Sequence, residues 1–178
     1  MPGLHSGAKD PEMLAQAWRV VATEVPEATL TIVGKGPVQH VIDGLLRQFP
    51  GRVRAESKLE PPQIAELLDD STVLAMSSAD GSEGVPRVIM EAFTRGRPAI
   101  CTAVGGVPDV VEPGRNGLLV GPGRPDELAR ALIRVLGDRK FAEQLAEGAR
   151  GSAEAARWAP GAYAQSVREM IDRVIAGP

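Results

Sequence analysis

Apolar positions along the chain switch between two periods. From Asp10 to Glu24 they recur at helical spacing, with Leu14, Ala17, Trp18 and Val21 on one face. Asp10 suits the N-cap, Pro11 the first helical position, and Pro26 follows the end. Thr29 to Val33 is a β-branched run stopped by Gly34, which predicts a strand. Helical spacing returns over Val38 to Phe49 (Val41, Leu45 and Phe49 inward), followed by a weak strand over Val53 to Ala55. A helix over Pro61 to Asp70, with Ile64, Leu67 and Leu68 inward, precedes a strand over Thr72 to Met76. That strand lacks polar alternation, as expected when both of its faces are covered. Pro86 to Arg95 predicts a helix with Val85, Val88, Ile89, Ala92 and Phe93 inward, and Pro98 to Cys101 a buried strand. A short helix over Val107 to Glu112 and a strand over Gly117 to Val120 follow. The rest reads as helices: Pro125 to Leu136, Arg139 to Ala149 and Pro160 to Ala176.

Strands alternating with helices at this spacing predict an α/β fold, a doubly wound, Rossmann-like parallel sheet. Residues 1–178 show no internal repeat, so one domain is expected; the only linker-like stretch is Ala156 to Pro160. In a doubly wound sheet the first strand is central. Here the first element is a helix, and Met1 to Ala8 hold no apolar run long enough for a strand. The sheet is therefore expected to lack its first, central strand or to take one from elsewhere.

Composition narrows the function. Hydrophobic residues make up 43% of the 178 and charged residues 24%, as in a globular protein. The net charge of -3 and 3% aromatic content give no support for nucleic-acid binding. No apolar run approaches the roughly 20 residues of a membrane span, and no signal peptide is evident. Cys101 is the single cysteine, so no internal disulfide can form, which fits a reducing, cytoplasmic setting. It reads as a small buried apolar residue rather than a nucleophile.

Ligands of open parallel sheets sit beyond the carboxyl ends of the strands. Three glycine loops leave predicted strand ends and lead into helices: Gly34-Lys35-Gly36-Pro37, Asp80 to Gly84, and Ala103-Val104-Gly105-Gly106. Each can bring free backbone N–H groups to an anion. The plain alternative is ordinary turn glycines, less favoured when all three fall on one edge. Glu83 lies in the second loop and Glu91 on the helix that follows, eight positions on. Glu91 is off the apolar stripe, with Arg87 four residues before it. The pair is read either as a surface ion pair worth a few tenths of a kcal/mol or as a carboxylate accepting hydrogen bonds from a ribose diol. Spacing alone does not separate these.

The set Glu83-Gly84-Val85-Pro86, Val88-Ile89-Met90-Glu91-Ala92, Gly96-Arg97-Pro98, Gly105 to Val111 and Gly114 to Val120 resembles a known family. It is similar to the C-terminal nucleotide-sugar domain of retaining glycosyltransferases of family four, with the GT-B architecture. The Ile32 to Pro37 turn and the Lys9-Asp10 helix start look like that family too, so the resemblance covers about Gly3 to the C-terminus. It implies that Glu91 binds ribose and Glu83 the donor-sugar hydroxyls. The backbone of Gly84, Val85, Pro86 and Arg87 would meet the sugar and distal phosphate, and Lys9 would neutralise the diphosphate. Glu83 and Lys9 are then the expected catalytic residues, and Gly34, Gly36, Gly105 and Gly106 the expected donor-binding turns. Leu4 stands where the family has a partner arginine, and Asp109 where it more often has Glu.

The resemblance also implies an N-terminal acceptor domain that residues 1–178 do not contain, with a histidine that neither His5 nor His40 matches. No Asp-x-Asp pair appears, and Asp69-Asp70 reads as solvated charge, so no cofactor and no metal is expected. The donor, a nucleoside-diphosphate sugar, is the expected ligand. Trp158 and Tyr163 read as packing anchors, and Val167, Met170, Ile171 and Val174 as an apolar face that must find a partner. An exposed sheet edge would invite a homodimer. The first reading is therefore the donor half of a retaining glycosyltransferase, inactive or weakly active alone. The second is a non-catalytic nucleotide-sugar-binding fragment or subunit that needs a separate acceptor domain. A nucleotide-sugar epimerase is weaker, because its acid and base cannot be placed.

Overall fold

The computed structural model describes residues 9–36, 38–80 and 84–152, together with Arg168, Glu169, Asp172 and Ile175, which are helical. The expectations for Leu4, His5, Pro37, Glu83, Trp158, Tyr163 and the apolar face of the last helix fall outside the described residues.

The elements run in the predicted order. They are α1 (Pro11–Glu24), β1 (Leu30–Val33), α2 (Gln39–Gln48), β2 (Val53–Glu56), α3 (Pro61–Asp69), β3 (Leu74–Met76), α4 (Arg87–Thr94), β4 (Ala99–Thr102), β5 (Gly117–Val120), α5 (Pro125–Gly137) and α6 (Arg139–Arg150). The helix expected over Val107 to Glu112 is a single 3-10 turn, Val107–Asp109. Asp10 caps α1 as expected, its carboxylate accepting from the Met13 N–H at 2.8 Å. Asp138 does the same for α6, accepting from Phe141 N–H at 3.0 Å.

All strand pairs are parallel, but they form two sheets. β1 pairs with β2, while β3, β4 and β5 are hydrogen-bonded in that order. The break falls between β1 and β3, the place of the first strand in a doubly wound sheet, and no strand of the described residues lies there. Helices cover both faces. Along β4 the side chains alternate between two cores: Ile100 packs with α1, α5 and α6, whereas Ala99 and Cys101 pack with α4 and the 3-10 turn. This two-sided burial is why the central strands read as unbroken apolar runs. α1 lies against α5 with Met13, Ala17, Trp18 and Val21 buried. Met90 is buried on α4 beyond the predicted face, and Ile64 and Leu67 are only half-buried, because both line a cavity at the break.

Arg52 ties the end of α1 to β2. Its guanidinium donates to the carbonyls of Ala28 (3.1 Å), Ala22 (2.9 Å) and Val25 (3.0 Å) and lies 5.8 Å from the Trp18 ring centroid. Carbonyls left over at a helix end thus acquire a charged donor.

Candidate functional site

The carboxyl ends of β1, β3 and β4 carry the three loops singled out by sequence. After β1, Gly34 takes φ 133°, a left-handed value that favours glycine, and its N–H donates to Glu56 O at 2.8 Å. After β3 come Ser77 and Ser78, both buried. The Ser77 hydroxyl donates to Asp10 O at 2.7 Å, and the Asp10 N–H donates back to Ser77 O at 2.6 Å. The Ser78 N–H donates to the buried Thr102 hydroxyl at the end of β4, 2.9 Å away. Lys9, half-buried, donates from Nζ to Ser78 Oγ at 3.3 Å. A ladder of small hydroxyls therefore anchors Lys9 and the start of α1 to the strand ends.

After β4, Gly105 takes φ 54°, and the Gly105-Gly106 turn packs on the next loop. A Cβ built on Gly106 would lie 3.0 Å from Val85 Cγ2, 3.2 Å from Val85 N and 3.3 Å from Gly84 C. Any side chain at Gly106 would have to push the Gly84-Val85 loop back by a few tenths of an ångström, so glycine suits this close approach. The Gly84-Val85 loop leads through Pro86 into α4. Pro86 is the N-cap, no side chain among the described residues caps the helix, and its first turn holds no acid. The positive end of this helix begins beside Gly84, which is exposed, and a Cβ built there meets nothing within 4 Å among the described residues.

The structure brings the expected residues together in two groups that adjoin at the Gly84-Val85-Pro86 loop. Lys9, Gly34, Gly36 and Pro86 line one cavity of about 1110 Å³. Gly84 and Val85 meet Gly106 beside it. Pro86 belongs to both groups. Arg87 and Glu91 are exposed on α4 outside that cavity, and no ion pair joins them among the described residues. The surface pair that helical spacing allowed is thus not formed. Asp69 and Asp70 are both exposed, as read from the sequence; the Asp69 carboxylate meets Arg95, and its carbonyl accepts from Arg97 at 2.5 Å. His40 is exposed on α2.

Cys101 is fully buried, and burial pushes its thiol up to about 12, partly offset by the nearby Lys9 ammonium. It is a packing residue, not a nucleophile. Sequence reasoning missed Ser77, Ser78 and Thr102. The available signal was small hydroxyls following apolar strands at the ligand edge. It also left Asn116 without a role. Fully buried, Asn116 accepts from the Glu112 N–H at 2.7 Å and donates to Val110 O at 3.0 Å, bracing the loop before β5. Among the described residues no cluster of three or more His, Cys, Asp or Glu side chains could hold a metal ion, and no helix is long and apolar enough to cross a membrane.

Residues 3–138 match the family model described as glycosyl transferases group 1. Among curated proteins, the chain is 33% identical over 139 residues to the N-acetyl-alpha-D-glucosaminyl L-malate synthase of Bacillus anthracis, covering 78% of this chain and 36% of that protein. Among solved structures, Alr3699/HepE of Anabaena in complex with UDP-glucose superposes with a TM-score of 0.78 at 26% identity, over 92% of this chain and 45% of that one. The C-terminal domain of the group 1 family protein LpcC from Francisella tularensis superposes with a TM-score of 0.71 at 18% identity, over 84% of both chains. The chain spans about a third of the length of the curated relatives it matches, 36% in the case of the malate synthase.

Proposed function

Because the chain belongs to the group 1 glycosyl transferases, we propose that it is the donor-binding half of a retaining glycosyltransferase of GT-B architecture. One observation carries this reading: the start of α4, uncapped by any described side chain, the Gly105-Gly106 turn and the Lys9-Gly34-Gly36 cavity adjoin at the Gly84-Val85-Pro86 loop on the carboxyl edge of parallel strands. A nucleoside-diphosphate sugar is the ligand this edge suits. Its diphosphate faces the α4 amides and Lys9, which together supply the positive charge otherwise given by a metal. Glu91 takes the ribose diol at one end, and Glu83 the hydroxyls of the transferred sugar at the other. The backbone from Gly84 to Arg87 and the turns at Gly34, Gly36, Gly105 and Gly106 make the close approaches.

In the reaction assigned to the whole enzyme, an acceptor hydroxyl attacks the anomeric carbon on the face the diphosphate leaves. The C–O bond to the diphosphate breaks, and the leaving phosphate oxygen takes the hydroxyl proton. No protein nucleophile is needed. Lys9 and the α4 amides stabilise the charge that develops on the leaving group, and the two acids position the sugar. The acceptor wall comes from a second domain, so the 178 residues alone bind weakly and transfer little. The single buried cysteine supports a reducing, cytoplasmic setting.

Leu4, in place of the family arginine, favours a second reading: a non-catalytic donor-binding subunit paired with a separately encoded acceptor domain. An adjacent reading frame for that domain, and transfer activity on mixing the two, would distinguish the two readings. The test of the site itself is calorimetric titration with UDP-, GDP- and ADP-sugars. Glu91→Ala is expected to weaken the preferred donor at least about tenfold, the loss of charge-assisted hydrogen bonds. Unchanged affinity would remove Glu91 from the site.

A further inference from the structure

β3 and β4 lead into hydroxyl residues that the function proposed above does not use. The ladder between the two strands ends at Met76 and Cys101. Thr102 is the last residue of β4, and Ser77 and Ser78 follow β3. Ser78 and Thr102 are each 1% exposed. A backbone N–H buried this deeply needs an acceptor. That of Ser78 takes the Thr102 hydroxyl at 2.9 Å, a side chain in place of a strand carbonyl.

The Ser78 hydroxyl in turn accepts from Lys9 Nζ at 3.3 Å, and the two residues form an isolated antiparallel bridge. One position along, Asp10 N–H donates to Ser77 O at 2.6 Å, and the Ser77 hydroxyl donates to Asp10 O at 2.7 Å. Lys9 is thus held over the ends of β3 and β4 by its backbone and by its head. The Cys101 thiol, one residue before Thr102, feels the ammonium charge.

A lysine head sits on a flexible four-carbon stem, and ordering that stem costs rotamer freedom. Where the stem is loose, the cost falls on ligand binding; where a neighbour already holds the head, folding has met it. A hydroxyl suits this task. Being neutral, it accepts from the ammonium without cancelling the charge, as a carboxylate would. An ammonium has three donors and can bind a hydroxyl and a phosphate oxygen at once.

We infer that Ser78 is a positioning residue for the donor: its hydroxyl aims the Lys9 ammonium at the diphosphate, and the Thr102 hydroxyl fixes the backbone that presents Ser78. This role rests on the reading proposed above, that Lys9 meets the diphosphate. The effect of both hydroxyls on binding therefore passes through Lys9 and vanishes when its ammonium is removed.

A double-mutant cycle tests this. UDP, GDP and ADP are titrated into the 178-residue protein, with binding followed by NMR chemical shifts, and the tightest binder is carried through the variants. Lys9→Ala is expected to weaken it about tenfold. Ser78→Ala is expected to weaken it about fivefold, but by less than about twofold once Lys9→Ala is present. Thr102→Val keeps the side-chain shape and removes the hydroxyl, so it should follow Ser78→Ala in both backgrounds, whereas Thr102→Ser should restore wild-type affinity. If no diphosphate binds, or if Lys9→Ala binds as tightly as wild type, the donor reading of Lys9 fails and takes the positioning role with it. If Lys9→Ala weakens binding but Ser78→Ala does not, or does so equally with and without Lys9, the positioning role alone is overturned. Should Ser78→Ala not fold, Thr102→Val decides in its place; failure of both to fold assigns the hydroxyls to stability and overturns the role as well.

Discussion

Cys101 and Lys9 show how one residue's chemistry depends on neighbours remote in sequence. The Cys101 thiol is raised from 9.0 to about 12 by burial, against a smaller opposing effect of Lys9. The unfolded chain ionises at the lower value while the folded chain keeps its proton. Stability from this group is therefore complete below pH 9 and declines as pH rises toward about 12, with a limiting slope of about 1.4 kcal/mol per pH unit. Denaturant titrations of wild type and Cys101→Ala across that range test this: the stability difference is expected to shift in favour of the variant as pH rises. For Lys9 the prediction concerns the donor. Lys9→Ala should weaken binding of the preferred nucleotide sugar about tenfold and flatten its dependence on salt. Equal salt slopes in titration calorimetry would show that the ammonium does not face the diphosphate. Residue roles were legible where partners are local, as at the Asp10 cap. Arg52 and Asn116 were opaque, because Arg52 acts on carbonyls 24 to 30 positions away and Asn116 braces a loop whose path is set by packing.

Helices and strands follow the 3.6 and two-residue periods closely enough that element order, and most termini to within a residue or two, are readable beforehand. The exceptions have physical causes. Val107 to Glu112 stops after one 3-10 turn because Val107, Val110 and Val111 all turn into the core around α4. Close contacts are invisible to periodicity. By helix propensity, Gly148→Ala on α6 should stabilise. Its Cβ, however, would come 1.9 Å from Arg115 O. The expected effect is therefore a loss of about 2 kcal/mol by overpacking. Gly137→Ala, with nothing within 4 Å, should be neutral or slightly stabilising. Asp10→Ala should cost about 1 kcal/mol through its lost cap bond to Met13. Urea unfolding of the three variants separates these signs.

At the scale of the molecule, the doubly wound architecture was foreseen, and among the described residues no strand lies between β1 and β3. A ligand that binds the folded domain alone stabilises it by mass action, by about 2.7 kcal/mol at a hundredfold excess over Kd. The preferred nucleotide sugar should therefore raise the melting temperature of the isolated chain, and Glu91→Ala, binding about tenfold more weakly, should lose about half of that rise at the same concentration. Thermal scans with and without donor measure both.

Hydrophobic periodicity, caps and glycine turns determined the α/β class, the element order and the edge on which the ligand belongs, because these signals act over a few residues and survive in a linear text. Folding settled that the Gly106 turn meets Val85, that Lys9 is anchored through Ser78 to the strand ends, and that an apolar slot divides the sheet. Each of these joins segments tens of residues apart, and their meeting depends on how the helices pack, a three-dimensional property that no local pattern carries.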